Sequence, residues 1–288
     1  VEEESMKYTT LITVEGLAEN YDRPDWVVVD CHFMLDEIEA GARAYLREHI
    51  PGALYAHLDR DLSGEIIPGK TSRHPLPSPE EFTKRLSSWG IDGDTQVVAY
   101  DNRGGGIAVR LWWMLKWLGH EAAAVMDGSF SHWKATGFPV TDEIPKPSAK
   151  TFVPKPRPEL IAPLEEVIKL GEHPEKLLVD SRAPERYRGE TEPIDPVAGH
   201  IPGAVNRFFM HNLGEDGKLR GISELKEIFL ELTGGRNPED VIFYCGSGVT
   251  SAHNILAMAH AGLGMPRIYP GSWSEWITDP ERPIEIDK

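Results

Sequence analysis

Short apolar runs alternate along this chain with longer segments in which apolar positions recur at helical spacing. The runs are W-V-V-V-D at 26–30, V-V-A-Y-D at 97–101, L-L-V-D at 177–180 and V-I-F-Y-C at 241–245; helical spacing covers 79–89, 107–118, 223–232 and 249–261. Continuous apolar runs, rather than strictly alternating ones, belong to strands buried on both faces, and the intervening helices supply the cover. The pattern therefore predicts an α/β fold of mainly parallel sheets flanked by helices. Trp112, Trp113 and Trp117 fall within one helical stretch and are expected in the core, or between copies of the repeat described next.

The alternation occurs twice. Asp30, the H-I-P-G-A at 49–53, Asp101 and the G-S-F-S-H-W at 128–133 return in the same order as Asp180, the H-I-P-G-A at 200–204, Cys245 and the G-S-W-S-E-W at 271–276. Each landmark reappears roughly 150 residues on, as a duplicated domain requires. Between the copies, Pro145, Pro147, Pro154, Pro156 and Pro158 rule out a helix and favour an extended connector. The expected organisation is a first domain at 1–143, a linker at 144–158 and a second domain at 159–288. Asp30, Asp180, His49 and His200 recur with the repeat and are read as structural.

The copies differ where chemistry is expected. The fourth run delivers Cys245 to a turn, Cys245-Gly246-Ser247-Gly248-Val249-Thr250, that opens into a helical segment. A strand, a glycine-bearing loop and a helix start together turn backbone N–H groups inward, and converging amides favour an anion. A thiol there is biased towards thiolate, so Cys245 is read as a nucleophile rather than a packed cysteine. The first copy has Asp101 at this position, followed by N-R-G-G-G, and cannot run thiolate chemistry. Cys31 follows a buried strand and is read as inert.

Composition narrows the partners. The 288 residues are 40% hydrophobic and 26% charged, as in an ordinary globular protein, but the formal net charge is −16. That charge argues against nucleic acid and anionic membranes, and an anionic substrate would need local arginines against the global field. Two distant cysteines make neither a disulfide framework nor a metal motif, so no metal or cofactor is expected and a reducing, cytoplasmic setting is. The acidic N-terminus lacks an apolar signal region, and Met6 is a candidate natural start with residues 1–5 added before it.

A duplicated α/β unit with H-I-P-G, a C-G-S-G-V-T loop and a terminal G-S-W-S-E-W resembles the two-domain rhodanese family over essentially the whole chain. The resemblance implies two tandem rhodanese-like domains, the first without the catalytic cysteine. It also implies sulfur transfer from a small anionic donor to a thiol, thioredoxin-like or cyanide acceptor through a Cys245 persulfide, with no cofactor. The loop residues Gly246, Gly248, Val249 and Thr250 would hold donor and persulfide. Gly246-Ser247 after the cysteine is similar to the branch of the family that uses 3-mercaptopyruvate rather than thiosulfate. That branch has an Asp–His–Ser arrangement, with aspartate and histidine from the first domain, at positions matched by Asp61, His74 and Ser247; His74 would carry a proton between Ser247 and the substrate oxygen. Arg186 matches the arginine that grips the donor. Many members follow it with E-P-R, whereas here Glu192-Pro193 precedes Ile194. Either another residue such as Arg73 binds the carboxylate, or the donor differs.

Three other readings are weaker. A thiosulfate-using transferase keeps the same cysteine. A non-catalytic sulfur-carrier module is disfavoured because Cys245 and its loop are retained. A cysteine phosphatase needs an arginine to close the loop, where this chain has Ser251.

Overall fold

The computed structural model describes residues 7–287; the candidate start at Met6 lies outside them. The described chain forms two compact units. One comprises the residues up to Leu62 together with Ser78–Pro156, the other Ser63–Pro77 together with Arg157 onward.

In the first unit, β1 (Leu11–Thr13), β2 (Trp26–Asp30), β3 (Leu54–Tyr55), β4 (Gln96–Tyr100) and β5 (Ala123–Asp127) form one sheet in the order β1-β5-β4-β2-β3. All its pairings are parallel, with Asp30 opposite Tyr100. The second unit repeats the central part: β6 (Leu177–Asp180), β7 (Val205–Asn206), β8 (Val241–Tyr244) and β9 (Arg267–Ile268) pair in parallel in the order β7-β6-β8-β9. Asp180 stands opposite Tyr244, as Asp30 does opposite Tyr100. Every residue of β4 and β8 is buried, which is why these strands read as unbroken apolar runs.

The four helical segments fold as helices Pro79–Ser88, Ala108–Trp117, Ile222–Thr233 and Ser251–His260. The first carries a reciprocal cap, Ser78 Oγ accepting from Glu81 N–H while Glu81 accepts from Ser78 N–H. Helix Ala108–Trp117 is buried on every side, and Trp112, Trp113 and Trp117 are core residues. The connector at 142–157 has no helix or strand; Lys150 and Lys155 donate their amides to Ser87 and Leu118 carbonyls, so the prolines alternate with residues that tie the chain to the first unit.

The H-I-P-G histidines are structural in both copies. His49 stacks on Tyr45 at 3.9 Å and its Nδ1 lies 2.7 Å from the Tyr45 carbonyl; His200 stacks on Tyr187 at 3.8 Å with Nδ1 2.8 Å from the Tyr187 carbonyl. The following isoleucine amide donates to Tyr100 in one copy and Tyr244 in the other, at 3.2 Å each. One motif thereby locks the end of the central strand twice. Among the described residues no helix is long and apolar enough to cross a membrane, and no cluster of three or more His, Cys, Asp or Glu is placed to hold a metal ion.

Candidate active site around Cys245

Strand β8 ends at Tyr244, and the next residue, Cys245, begins a loop braced from behind by the G-S-W-S-E-W segment. Cys245 N–H donates to Ser272 Oγ at 3.1 Å, the Cys245 carbonyl accepts from Trp273 N–H at 3.0 Å, and the Gly246 carbonyl accepts from Ser274 N–H at 2.9 Å. Ser272 holds a left-handed backbone angle, φ 54°, to make its contact. Such an angle costs a non-glycine residue about 1 kcal/mol or more and persists only where the surroundings enforce it. In the sequence this segment is visible only as a repeat landmark; its bracing role follows from the fold.

With its carbonyls turned back, the loop's amides face the sulfur. Gly248 N–H donates to Cys245 Sγ at 3.2 Å. Gly248 has φ +80°, and a Cβ there would stand 2.3 Å from the Pro270 carbonyl oxygen, so only glycine fits. Thr250 precedes helix Ser251–His260 without capping it through its side chain, which leaves its hydroxyl for the sulfur. Ser251 Oγ is buried without a hydrogen-bond partner, and Ser251 contributes to lowering the thiol. Cys245 is only 2% exposed. Burial alone pushes its thiol up, but the Thr250 hydroxyl, the Ser247 amide, and the Ser251 hydroxyl and amide outweigh burial and bring it below the ordinary value. Cys31 is equally buried and shows the opposite result: burial, then the charges of Asp30, Asp101 and Asp61, push its thiol well up.

The first copy contains an internal comparison. Its loop accepts Phe130 N–H on the Asp101 carbonyl, as Cys245 accepts Trp273 N–H. The Asp101 carboxylate turns into its own loop and accepts from the amides of Arg103, Gly105, Ile107 and Ala108 at 2.7, 2.9, 2.8 and 2.9 Å. The same backbone turn thus holds a carboxylate in one unit and a cysteine sulfur in the other.

Ser247 and His74 meet, His74 Nδ1 lying 2.7 Å from Ser247 Oγ with both residues buried. The sequence pointed to His74 as a first-domain residue, but Ser63–Pro77 clusters with the second unit. Arg73 N–H donates to Ser274 Oγ at 3.2 Å, and Gly64 N–H donates to the Pro75 carbonyl at 2.9 Å, closing this excursion as a loop. Asp61 belongs to the first unit, where it ends helix Leu58–Asp61, accepts from His57 N–H at 2.8 Å and pairs with Arg85 at 3.1 Å.

Two guanidinium groups flank the loop. A Cβ placed on Gly246 would lie 3.0 Å from Arg73 Nη2 and 3.6 Å from Arg186 Nη2. Arg186 is held through Nε by both Glu192 oxygens at 3.0 Å and through Nη2 by Asp195 at 3.0 Å. Arg73 pairs with the other Asp195 oxygen, while its Nε is buried with no partner. Glu192 also accepts from Arg182 at 3.3 Å and from the amides of Ile194 and Asp195, so the segment after Arg186 folds around it. Val249 is a buried wall of the loop. Asp195 was not singled out from the sequence. It lies in a short polar stretch without periodicity, and its partner Arg73 is 122 positions away.

The Rhodanese-like domain profile matches residues 13–136 and 163–279. The chain is similar to the "Probable 3-mercaptopyruvate sulfurtransferase" of Pseudomonas aeruginosa, 45% identical over 281 residues that span 97% of this chain and 99% of that protein. It is also similar to thiosulfate sulfurtransferase of Bos taurus, 34% identical over 94% of this chain and 92% of that one. The structure of 3-mercaptopyruvate sulfurtransferase from Leishmania major superposes with a TM-score of 0.82 at 30% identity, covering 93% of this chain and 74% of that chain.

Proposed function

Starting from a chain that belongs to the rhodanese family, two tandem rhodanese-like domains forming a sulfurtransferase that carries sulfane sulfur as a cysteine persulfide, we propose that Cys245 is that cysteine and 3-mercaptopyruvate its donor. The observation that carries this reading is Gly248 N–H donating to Cys245 Sγ at 3.2 Å, with the thiol lowered despite burial. Cys245 thiolate attacks the donor sulfur and an S–S bond forms. The donor's C–S bond breaks, its electron pair passes into the adjacent carbonyl as an enolate, and a proton converts this to pyruvate. An acceptor thiolate then attacks the outer persulfide sulfur, the S–S bond breaks, and Cys245 leaves as thiolate in the ring it started from. A thiol, a thioredoxin-like protein or cyanide fits the acceptor step.

Donor choice follows from Ser247 and His74. A hydroxyl held by an imidazole at 2.7 Å can donate to a carbonyl oxygen while negative charge develops there. Thiosulfate has no such carbonyl and leaves as sulfite without needing this proton. Arg186 and the partly unsatisfied Arg73 suit a carboxylate, so Arg73 takes the place of the missing E-P-R arginine. The name of the Pseudomonas aeruginosa relative agrees with this donor. Both cysteines are free, which fits a reducing compartment; we place the protein in the cytoplasm.

Steady-state kinetics with both donors on pure protein tests the assignment. Mercaptopyruvate should have the higher kcat/KM. His74→Ala should lower its turnover by roughly 10²-fold or more, the usual loss on removing a proton-transfer group, and thiosulfate turnover by much less. Equal losses with both donors would remove the proton-transfer role, and a wild-type preference for thiosulfate would reassign the donor.

A further inference from the structure

The anion site contains its own anions. Arg73 and Arg186 supply two positive charges beside Gly246, and Glu192 and Asp195 supply two negative ones, both carboxylates nearly enclosed, at 4% and 3% side-chain exposure. Glu192 has structural work elsewhere, binding Arg182 and two backbone amides. The Asp195 side chain, by contrast, bridges Arg73 and Arg186, one oxygen on each, and no other side chain among the described residues. It sits where the two guanidinium groups would otherwise present their full charge to a donor.

We propose that Asp195 is a specificity-determining residue: by bridging Arg73 and Arg186 it cancels the charge a dianionic donor would need and leaves the site fitted to a donor with one negative charge. This deepens the reading of Arg73 and Arg186 as the donor site and rests on it. With both carboxylates ionised the four side chains sum to no net charge, and the Cys245 thiolate makes the surroundings negative. A singly charged carboxylate gains directional hydrogen bonds from the Arg73 and Arg186 guanidinium groups beside Gly246 and meets modest repulsion. A compact dianion such as thiosulfate gains the same hydrogen bonds but meets twice the repulsion, at separations where protein charges interact strongly. Burial first, and then Glu192, push the Asp195 carboxyl up, while Arg73, Arg186 and Arg182 oppose them; the net shift is upward. The bridging carboxylate is therefore the group whose removal would leave the two guanidinium charges unopposed on that side.

The test compares kcat/KM for thiosulfate and 3-mercaptopyruvate in the wild type, Asp195→Asn, Asp195→Glu and Arg186→Ala. Asp195→Asn should raise the thiosulfate-to-mercaptopyruvate ratio roughly tenfold or more, while Asp195→Glu, which keeps the charge, should leave the ratio near the wild-type value. An unchanged ratio in Asp195→Asn, with Arg186→Ala still raising the donor KM, would overturn the proposal and leave the anion site standing. An unchanged donor KM in Arg186→Ala would overturn the anion site, and the proposal with it. If Asp195→Asn does not fold, competitive inhibition of the wild type by acetate and by sulfate at constant ionic strength decides the same question. Tighter binding of the monoanion supports the proposal, and dianion binding roughly tenfold tighter or more contradicts it.

Discussion

Cys245→Ser will fail to take up sulfur. Offered 3-mercaptopyruvate, the wild-type chain should gain the mass of one sulfur atom at residue 245 and lose it to a thiol; the serine variant should gain none, and turnover should fall by about 10⁴-fold or more. The fold should survive, because an oxygen replaces a sulfur in a pocket already lined with hydrogen-bond donors, including Gly248 N–H. The hydroxyl is too weak an acid to ionise there, and the new bond would have to be S–O rather than S–S. The other cysteine offers no substitute: Cys31 is 0% exposed and its thiol is pushed well up. Sulfur uptake by the serine variant would place the carrier elsewhere.

Gly248→Ala should be nearly as damaging, for a reason that involves no reacting atom. The backbone there has φ +80°, and the new methyl would meet the Pro270 carbonyl oxygen at 2.3 Å and two further Pro270 backbone atoms at 3.0 Å. Rigid backbone must move, and the N–H that donates to Cys245 Sγ moves with it. Removing one preorganised donor to a developing anion usually costs about 10²–10³ in kcat, and overpacking adds a stability loss of about 1–3 kcal/mol. Gly262→Ala is the control. Its φ is +74° but nothing lies within 4 Å of the added carbon, so it should show the conformational penalty of about 1 kcal/mol alone and keep its activity. Wild-type kcat/KM in Gly248→Ala would mean that this amide does not hold the sulfur.

These expectations differ in how visible their causes are along the chain. Strands β4 and β8 could be read directly because burial on both faces leaves a run of apolar residues, and helices Pro79–Ser88 and Ile222–Thr233 because one buried face must repeat at helical spacing. The Cys245 loop was legible for a related reason: glycine at a position that excludes a Cβ is a backbone requirement written as a residue type. What bracing and charge pairing contribute was hidden. Ser272 adopts a left-handed angle that serine does not advertise. Asp195 finds Arg73 across 122 residues, and no period links them. The grouping of Ser63–Pro77 with the second unit likewise follows from packing, and chain order pointed to the other domain. Asp101 is an intermediate case. The sequence shows that the first copy lacks a thiol, but only the folded chain shows its carboxylate filling the amide ring.

Everything proposed for the site depends on Cys245 ionising more readily inside its buried loop than a free cysteine does. Titrating the ultraviolet absorbance of the thiolate, wild type minus Cys245→Ser, reads this without requiring a reagent to enter. Because the folded-state thiol is lowered, the thiolate should already be forming below the midpoint of about 8.5 typical of a free cysteine. Within that window, between the lowered midpoint and the ordinary one, the folded state should also be stabilised as pH rises, because the unfolded chain still holds the proton there. A difference titration with its midpoint clearly below that of a free cysteine is the predicted result; a midpoint at or above it would contradict the account.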